Sequence, residues 1–113
     1  MVIKMQIIME SKGIEKVLKL VEDDKSKIIG RAVISEHKNY IRLHLILVDK
    51  KYRGKGLGTK LLEKVLSLYH NKDITLSTFL GNEEWLQKYG FKILNKHDGL
   101  VSMIKTANQP LIY

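Results

Sequence analysis

The chain contains no cysteine. That excludes disulfides and thiolate zinc sites, and it fits a reducing compartment such as the cytoplasm. Its four histidines are scattered without metal-ligand spacing, so no metal is expected. No apolar run approaches the roughly 18 residues that a membrane span requires, so no membrane association is expected. The first residues, "MVIKMQIIMESK", have no small-residue cleavage site after their apolar part, and no signal peptide is expected. Aromatic residues make up 7% and are not interleaved with basic ones, which argues against a nucleic-acid-binding domain. Acidic residues are the minority, 12 against 20 lysines and arginines, giving a formal charge of +8. Two readings fit that balance: a solvated basic surface, or a polyanionic partner such as a phosphate-bearing cofactor, nucleic acid or an acidic protein.

What is present is the material for one domain over residues 1–113. Hydrophobic residues make up 44% of the 113 positions, enough for one modest core. There is no repeat, linker or low-complexity segment. "VIKMQIIM" (2–9) reads as a first strand. "IEKVLKLVE" (14–22) is open: Ile14, Val17, Leu18 and Val21 fit a helical stripe, and "VLKLV" also fits a strand. "EDDKSK" reads as a turn and "KIIGRAVIS" (27–35) as a strand. "YIRLHLILV" (40–48) is the clearest strand, with Ile41, Leu43, Leu45 and Leu47 on one face and Arg42 and His44 on the other. From Leu57 to Tyr69, apolar residues recur at helical spacing. "DITLSTF" (73–79) is a strand. "NEEWLQKYG" (82–90) is a short helix, with Asn82 as N-cap and Gly90 as stop. "FKIL" and "LVSMIK" form a last hairpin around "NKHDG". The strand–loop–helix–strand unit in the middle implies a parallel pair with a right-handed crossover. The fold class is therefore α/β of the α+β type: a mixed, mostly antiparallel sheet with a central parallel strand pair, flanked by few helices.

"KKYRGKGLGTKLLEKV" (51–66) places Gly54, Gly56 and Gly58 directly before an apolar helix. The first turn of a helix offers unpaired N–H groups and the positive end of its dipole, and glycines let an anion approach that backbone closely. A Walker A loop is excluded by the spacing and by the absence of Gly-Lys-Ser/Thr. Gly-x-Gly-x-Gly is also not the dinucleotide fingerprint, and no early βαβ unit surrounds it. A plain strand-to-helix turn rarely needs three glycines and an arginine.

"VDKKYRGKGLGTKLL" resembles the acyl-CoA-binding motif of the GNAT superfamily of N-acetyltransferases. Arg53, Gly56 and Gly58 match its Arg/Gln-x-x-Gly-x-Gly/Ala pattern, and Val48 matches the apolar residue that ends the preceding strand. Ile29-Gly30 is similar to the apolar-Gly step of the family's third strand, and "YGF" (89–91) to the Gly-Phe that opens its sixth. The resemblance covers roughly residues 17 to 105. It implies acetyl-CoA as acyl-donor cosubstrate and an amine-bearing acceptor: a protein, a peptide or a polyamine. It implies cofactor contacts at Leu47, Val48, Arg53, Gly54, Lys55, Gly56, Leu57, Gly58, Thr59 and Asn82. The loop N–H groups would hold the pyrophosphate, the end of the strand would pair with the pantetheine arm, and a backbone N–H near Val48 would polarise the thioester carbonyl. The acceptor amine would attack directly in a ternary complex.

Two departures from the family pattern stand out. The tyrosine that usually protonates the leaving thiolate, four residues before the Gly of Gly-Phe, is Leu86 here, with Tyr89 the nearest alternative acid. The two helices that normally separate the first strands have room for one short helix at most, which predicts an open acceptor site. His44, beside Arg42 on the clearest strand, is the candidate general base, because a neutral imidazole suits amine deprotonation. His37, His70 and His97 lie in turn or helix-end contexts. Glu83 and Glu84 suit a helix N-terminus, and Trp85 suits core or cleft lining. The competing readings are a non-catalytic acyl-CoA-binding module on the same fold and, against the composition, a small basic nucleic-acid-binding domain. The oligomeric state is left open, a homodimer included.

Overall fold

The structure is a computed structural model that describes residues 4–22 and 27–107. Alternation builds the first half. Strands β1 (Met5–Lys12), β2 (Glu15–Glu22), β3 (Ile28–Glu36) and β4 (Tyr40–Val48) form an antiparallel meander. A single 3-10 turn (Lys50–Tyr52) and the glycine loop lead into helix α1 (Leu57–Leu68). Strand β5 (Asp73–Phe79) follows, then a one-turn helix α2 (Glu83–Gln87) and the hairpin β6 (Lys92–His97) and β7 (Leu100–Lys105). The sheet order is β1-β2-β3-β4-β5-β7-β6, and β4–β5 is its one parallel pair. The expected mixed sheet with a central parallel pair is therefore what the chain forms.

Two expectations are corrected and one left open is decided. Among the described residues the first strand spans 5–12 and so runs past the expected end at 9; residues 1–3 lie outside those described. Residues 15–22 are a strand, because a two-residue turn at Gly13 and Ile14 folds β2 straight back on β1 with Lys12 opposite Glu15. Strand period then puts Leu18 and Leu20 in the core and leaves Ile14 60% exposed, which the helical stripe required to be buried. No helix separates β1 from β2, where one short helix was allowed. In the last hairpin, β6 runs on through His97, and the turn is Asp98–Gly99 alone. Both residues have positive φ, 50° and 78°, the combination that suits a two-residue hairpin and that Asp-Gly supplies at low cost. The turn expected at 22–27 falls largely on residues 23–26, outside those described.

The core lies between one face of the sheet and the two helices. Leu57, Leu61, Leu62 and Val65 of α1 and Leu86 of α2 join Leu18, Leu20, Ala32, Ile34, Ile41, Leu43, Ile74, Leu76, Val101 and Met103 in one buried cluster, with Phe91 at its end. Tyr69 closes the C-terminal end of α1, and its hydroxyl donates to Glu36 Oε1 of β3 at 2.6 Å. Burial, reinforced by that bond, pushes the Tyr69 phenol above its usual range. The opposite face carries Lys19, Arg31, Ser35, Arg42, Ser77 and Ser102, and no described helix covers it. The sheet therefore presents one dry face and one open face to its surroundings.

Helix α1 sits close on β3 at Gly30. A Cβ there would meet the Leu47 carbonyl oxygen at 3.0 Å and Leu61 Cδ1 at 3.4 Å. The nearer obstacle is backbone, which cannot step aside cheaply. Gly30→Ala is expected to lower stability by about 1–3 kcal/mol, the usual range for overpacking, read as a reduced denaturation midpoint. An unchanged midpoint would contradict the close approach.

Candidate active site

Strands β4 and β5 pair only from Tyr40–Leu43 to Asp73–Leu76 and then part. Between them opens a cleft of about 880 Å³. A bulge sits at the parting point. Ile34 pairs with Leu43 and Val33 with Leu45, so His44 is an extra residue in β4. A bulge bends its strand and increases the local twist, which carries the end of β4 away from β5.

The bulge also inverts the face pattern. Ile41 and Leu43 are buried; beyond the extra residue, Ile46 and Val48 pack against the core, while Leu45 and Leu47 are 37% and 41% exposed. The expectation that Ile41, Leu43, Leu45 and Leu47 share one face is corrected accordingly. Parity does not carry across a bulge, so the face of His44 says nothing about the face of Val48. From His44 onward, β4 is an edge on the cleft side, and its backbone groups on that edge have no strand to pair with.

The glycine loop closes one end of the cleft. Gly54 and Gly56 have φ of 80° and 77°, left-handed values that other residues adopt at a cost. A Cβ at either position would meet nothing within 4 Å, so conformation requires glycine there and the space beside the backbone stays open. Gly56 is the N-cap of α1, and no side chain caps it; the first helical bond runs from Lys60 N to Gly56 O. The N–H groups of the first turn therefore look into the cleft without a side-chain partner. Arg53 Nε donates to the Val48 carbonyl at 3.0 Å, which fixes the guanidinium beside the end of β4. No aspartate or glutamate lines the cleft. Uncapped N–H groups, a helix dipole, an arginine and no carboxylate together make an anion site.

Of the residues singled out from the sequence, His44, Val48, Arg53, Gly54, Gly56, Leu57, Gly58, Thr59 and Asn82 line this one cleft. Leu47, Lys55 and Tyr89 do not. Leu47 is turned outward by the bulge. The Lys55 ammonium lies 5.7 Å from the centre of the Tyr52 ring, on which Lys27 also rests at 5.1 Å. Tyr89 packs edge-on against Trp85, with ring centres 6.2 Å apart. Asn82 occupies the N-cap position of α2 without capping it, and its side-chain amide donates to Thr78 Oγ1 at 3.0 Å. Glu83 accepts from the Gly81 N–H at 2.8 Å, in keeping with a helix-start role.

The sequence reading missed the far wall: Leu76, Ser77, Thr78 and Phe79 of β5, and Leu100 of β7. No motif marks them; only the parting of the strands exposes them to the cleft. It also missed Ser35, the only buried polar residue among those described, at 6% exposure. Trp85 lines the cleft, and its indole N–H donates to Thr59 Oγ1 at 3.3 Å, tying α2 to the first turn of α1. Leu86, where a tyrosine was sought, is buried at the cleft wall.

Residues 15–93 match the model of the acetyltransferase (GNAT) domain. Among solved structures, the chain is similar to a GNAT family acetyltransferase from Elizabethkingia anophelis with acetyl-CoA bound, at 16% identity and a TM-score of 0.75, covering 90% of this chain and 97% of that one. It is similar to PH1933 from Pyrococcus horikoshii OT3 at 31% identity and a TM-score of 0.67, covering 80% of this chain and 66% of that one. A PaiA N-acetyltransferase from Thermoplasma acidophilum in complex with coenzyme A is similar at 23% identity and a TM-score of 0.62, over 80% of this chain and 60% of that one. No curated protein matches the chain significantly.

The loop geometry makes a prediction that needs no organic ligand. Pyrophosphate should raise the melting temperature, because a ligand that binds only the folded state stabilises it by mass action. Gly56→Glu should abolish that increment, whereas Gly56→Ala, equally strained but uncharged, should keep most of it. An increment that survives Gly56→Glu would place the anion elsewhere.

Proposed function

The chain belongs to the GNAT acetyltransferase family, and on that footing we propose that it transfers an acetyl group from acetyl-CoA to a primary amine. The observation that carries this reading is the junction of two features in one cleft: the uncapped glycine-rich start of α1 and the unpaired edge of β4 beyond the bulge. The first suits a pyrophosphate. The second suits an extended pantetheine arm, which adds to a free edge as a strand would.

In this reading the amine nitrogen attacks the thioester carbon. The carbonyl oxygen gains charge and is met by a backbone N–H near Val48. The C–S bond breaks with its electron pair leaving on sulfur, and the CoA thiolate takes a proton from solvent, since Leu86 offers none. His44 takes the proton that the amine loses. It stands at the fork of β4 and β5 and lines the cleft, which supports this role. Arg53, Gly54, Gly56, Leu57, Gly58 and Thr59 hold the phosphates, with Lys55 at the rim. Leu86 also supports the second reading, a non-catalytic acyl-CoA-binding module. Thiol release from acetyl-CoA in the presence of amines separates the two.

The acceptor enters from the open face of the sheet. There Leu45, Phe79 and Leu100 form an apolar rim, 37%, 72% and 43% exposed, and Arg42 bonds to Ser77 at 2.9 Å. With a rim arginine, no carboxylate in the cleft and a net charge of +8, a polycation meets no attraction. The amino end of a peptide, with an apolar side chain to set against Phe79, suits the rim. A neutral peptide with an apolar first residue is therefore expected to exceed spermidine by at least about tenfold in kcat/KM, a difference of about 1.4 kcal/mol. The reverse order would assign a polyamine.

His44→Ala is expected to lower kcat/KM by about tenfold to a hundredfold, at or below the lower end of what general base catalysis supplies. Acetyl-CoA affinity should hold, because the phosphates bind elsewhere. Tyr89→Phe should leave turnover nearly unchanged, because its ring packs on Trp85; a loss of about a hundredfold would make Tyr89 the acid. A pH–rate profile identical in wild type and His44→Ala would eliminate His44 as the base.

A further inference from the structure

Ser35 Oγ lies 2.8 Å from His44 Nε2 and 2.8 Å from His37 Nε2. One nearly buried hydroxyl thus bridges two imidazoles, one in the cleft wall and one at the β3–β4 turn. We propose that Ser35 and His37 form a proton relay that carries the amine proton from His44 to solvent at the β3–β4 turn. The proposal rests on the reading of His44 as the base.

A hydroxyl has one proton to donate and lone pairs with which to accept. With both rings neutral, Ser35 donates to one Nε2 and accepts an N–H from the other, so the two tautomers are coupled. When His44 is the ring with Nε2–H, its Nδ1 is a free lone pair, and no described residue bonds to it. His37 then accepts the Ser35 proton at Nε2 and carries its own on Nδ1. The amine proton adds to His44 Nδ1, the Nε2 proton passes to Ser35 Oγ, and the Ser35 proton passes to His37 Nε2. His37 releases its Nδ1 proton to water. His44 ends neutral, with the mirror tautomer, and exchange with cleft water after product release restores the starting one.

The relay answers a need that the cleft creates. His44 is exposed in the free protein, but acetyl-CoA and an acceptor seated in the fork cover its cleft side. The route through Ser35 leads away from both substrates. His37 is held in place by stacking on Tyr40, with ring centres 4.5 Å apart and planes 15° from parallel. The charged groups that face the relay from the neighbouring strands are Glu15, paired with Ser35 across β2 and β3, and Arg42, paired with Ser35 across β3 and β4.

The test compares Ser35→Ala, Ser35→Thr and His37→Ala with His44→Ala, reading kcat, the acetyl-CoA KM, the pH profile and the solvent isotope effect in H2O/D2O mixtures. Ser35→Ala and His37→Ala should each lower kcat about tenfold, part of the roughly 10²–10⁴ that general base catalysis supplies, with KM unchanged. Ser35→Thr should restore the rate, and added imidazole should rescue His37→Ala. The dependence of rate on deuterium fraction should be bowed in the wild type, as for several protons in flight, and linear in Ser35→Ala. If Ser35→Ala does not fold, imidazole rescue of His37→Ala decides. Wild-type kcat and a bowed dependence in both Ser35→Ala and His37→Ala, with His44→Ala slow, would overturn the relay alone. A wild type that acetylates no amine would overturn the acetyltransferase reading and the relay with it.

Discussion

Strand β4 carries one more residue than β3 between the Ile34–Leu43 and Val33–Leu45 pairs. That residue, His44, also stands where pairing with β5 ends. Without the extra residue, β4 would keep its parity: Leu45 and Leu47 would enter the core, and Ile46 and Val48 would leave it. With it, Ile46 and Val48 lie under α1, where the helix approaches closely enough that a Cβ on Gly58 would touch both, at 3.9 Å. The same kink bends β4 from β5, opens the fork and leaves an unpaired backbone edge along one wall. The packing of Ile46 and Val48 under α1, the cleft and the free edge of β4 all follow from one insertion in the ladder.

The electrostatics follow the same division. The phosphate end of the cleft has N–H groups and Arg53, and its lining has no carboxylate. The excess of positive charge is therefore not only a solvated surface: part of it converges where the helix dipole already favours an anion. The core cluster is apolar, and Ser35, on the other face of the sheet, is the only buried polar residue among those described. Burying a hydroxyl is tolerable only if it is hydrogen-bonded, and the two imidazoles that satisfy it come from the β3–β4 turn and from the bulge in β4. On the helix side, Tyr69 plays a corresponding part by joining the end of α1 to Glu36. Each face of the hairpin thus has its own polar tie.

Local signals located much of this fold. Alternation and β-branched content gave β4 and β5 their observed limits, 40–48 and 73–79, and the glycine loop with its following helix stood out by composition alone. The residues that fail are those for which short range is ambiguous or irrelevant. "VLKLV" satisfies both periods, and only the turn at Gly13 and Ile14, which pairs β2 with β1, decides between them. The bulge is invisible, because His44 looks like any polar residue in an alternating strand and its partner count depends on β3. The β5 wall of the cleft carries no signature, since Ser77, Thr78 and Phe79 face the cleft only because β4 has left. Ser35 would have looked like an ordinary strand serine until the hairpin brought His37 and His44 to it.

The central claim is that the free edge of β4 and the start of α1 together receive the acyl donor. Amide hydrogen exchange with and without acetyl-CoA tests it at residue level, because a bound ligand that pairs with a strand edge protects the amides it engages. Slower exchange at residues 45–48 and 56–59 on addition of acetyl-CoA, with little change in β1, β2 and β6, is the predicted result. Protection confined to the open face of the sheet, or absent from 45–48 while acetyl-CoA is bound, would contradict it.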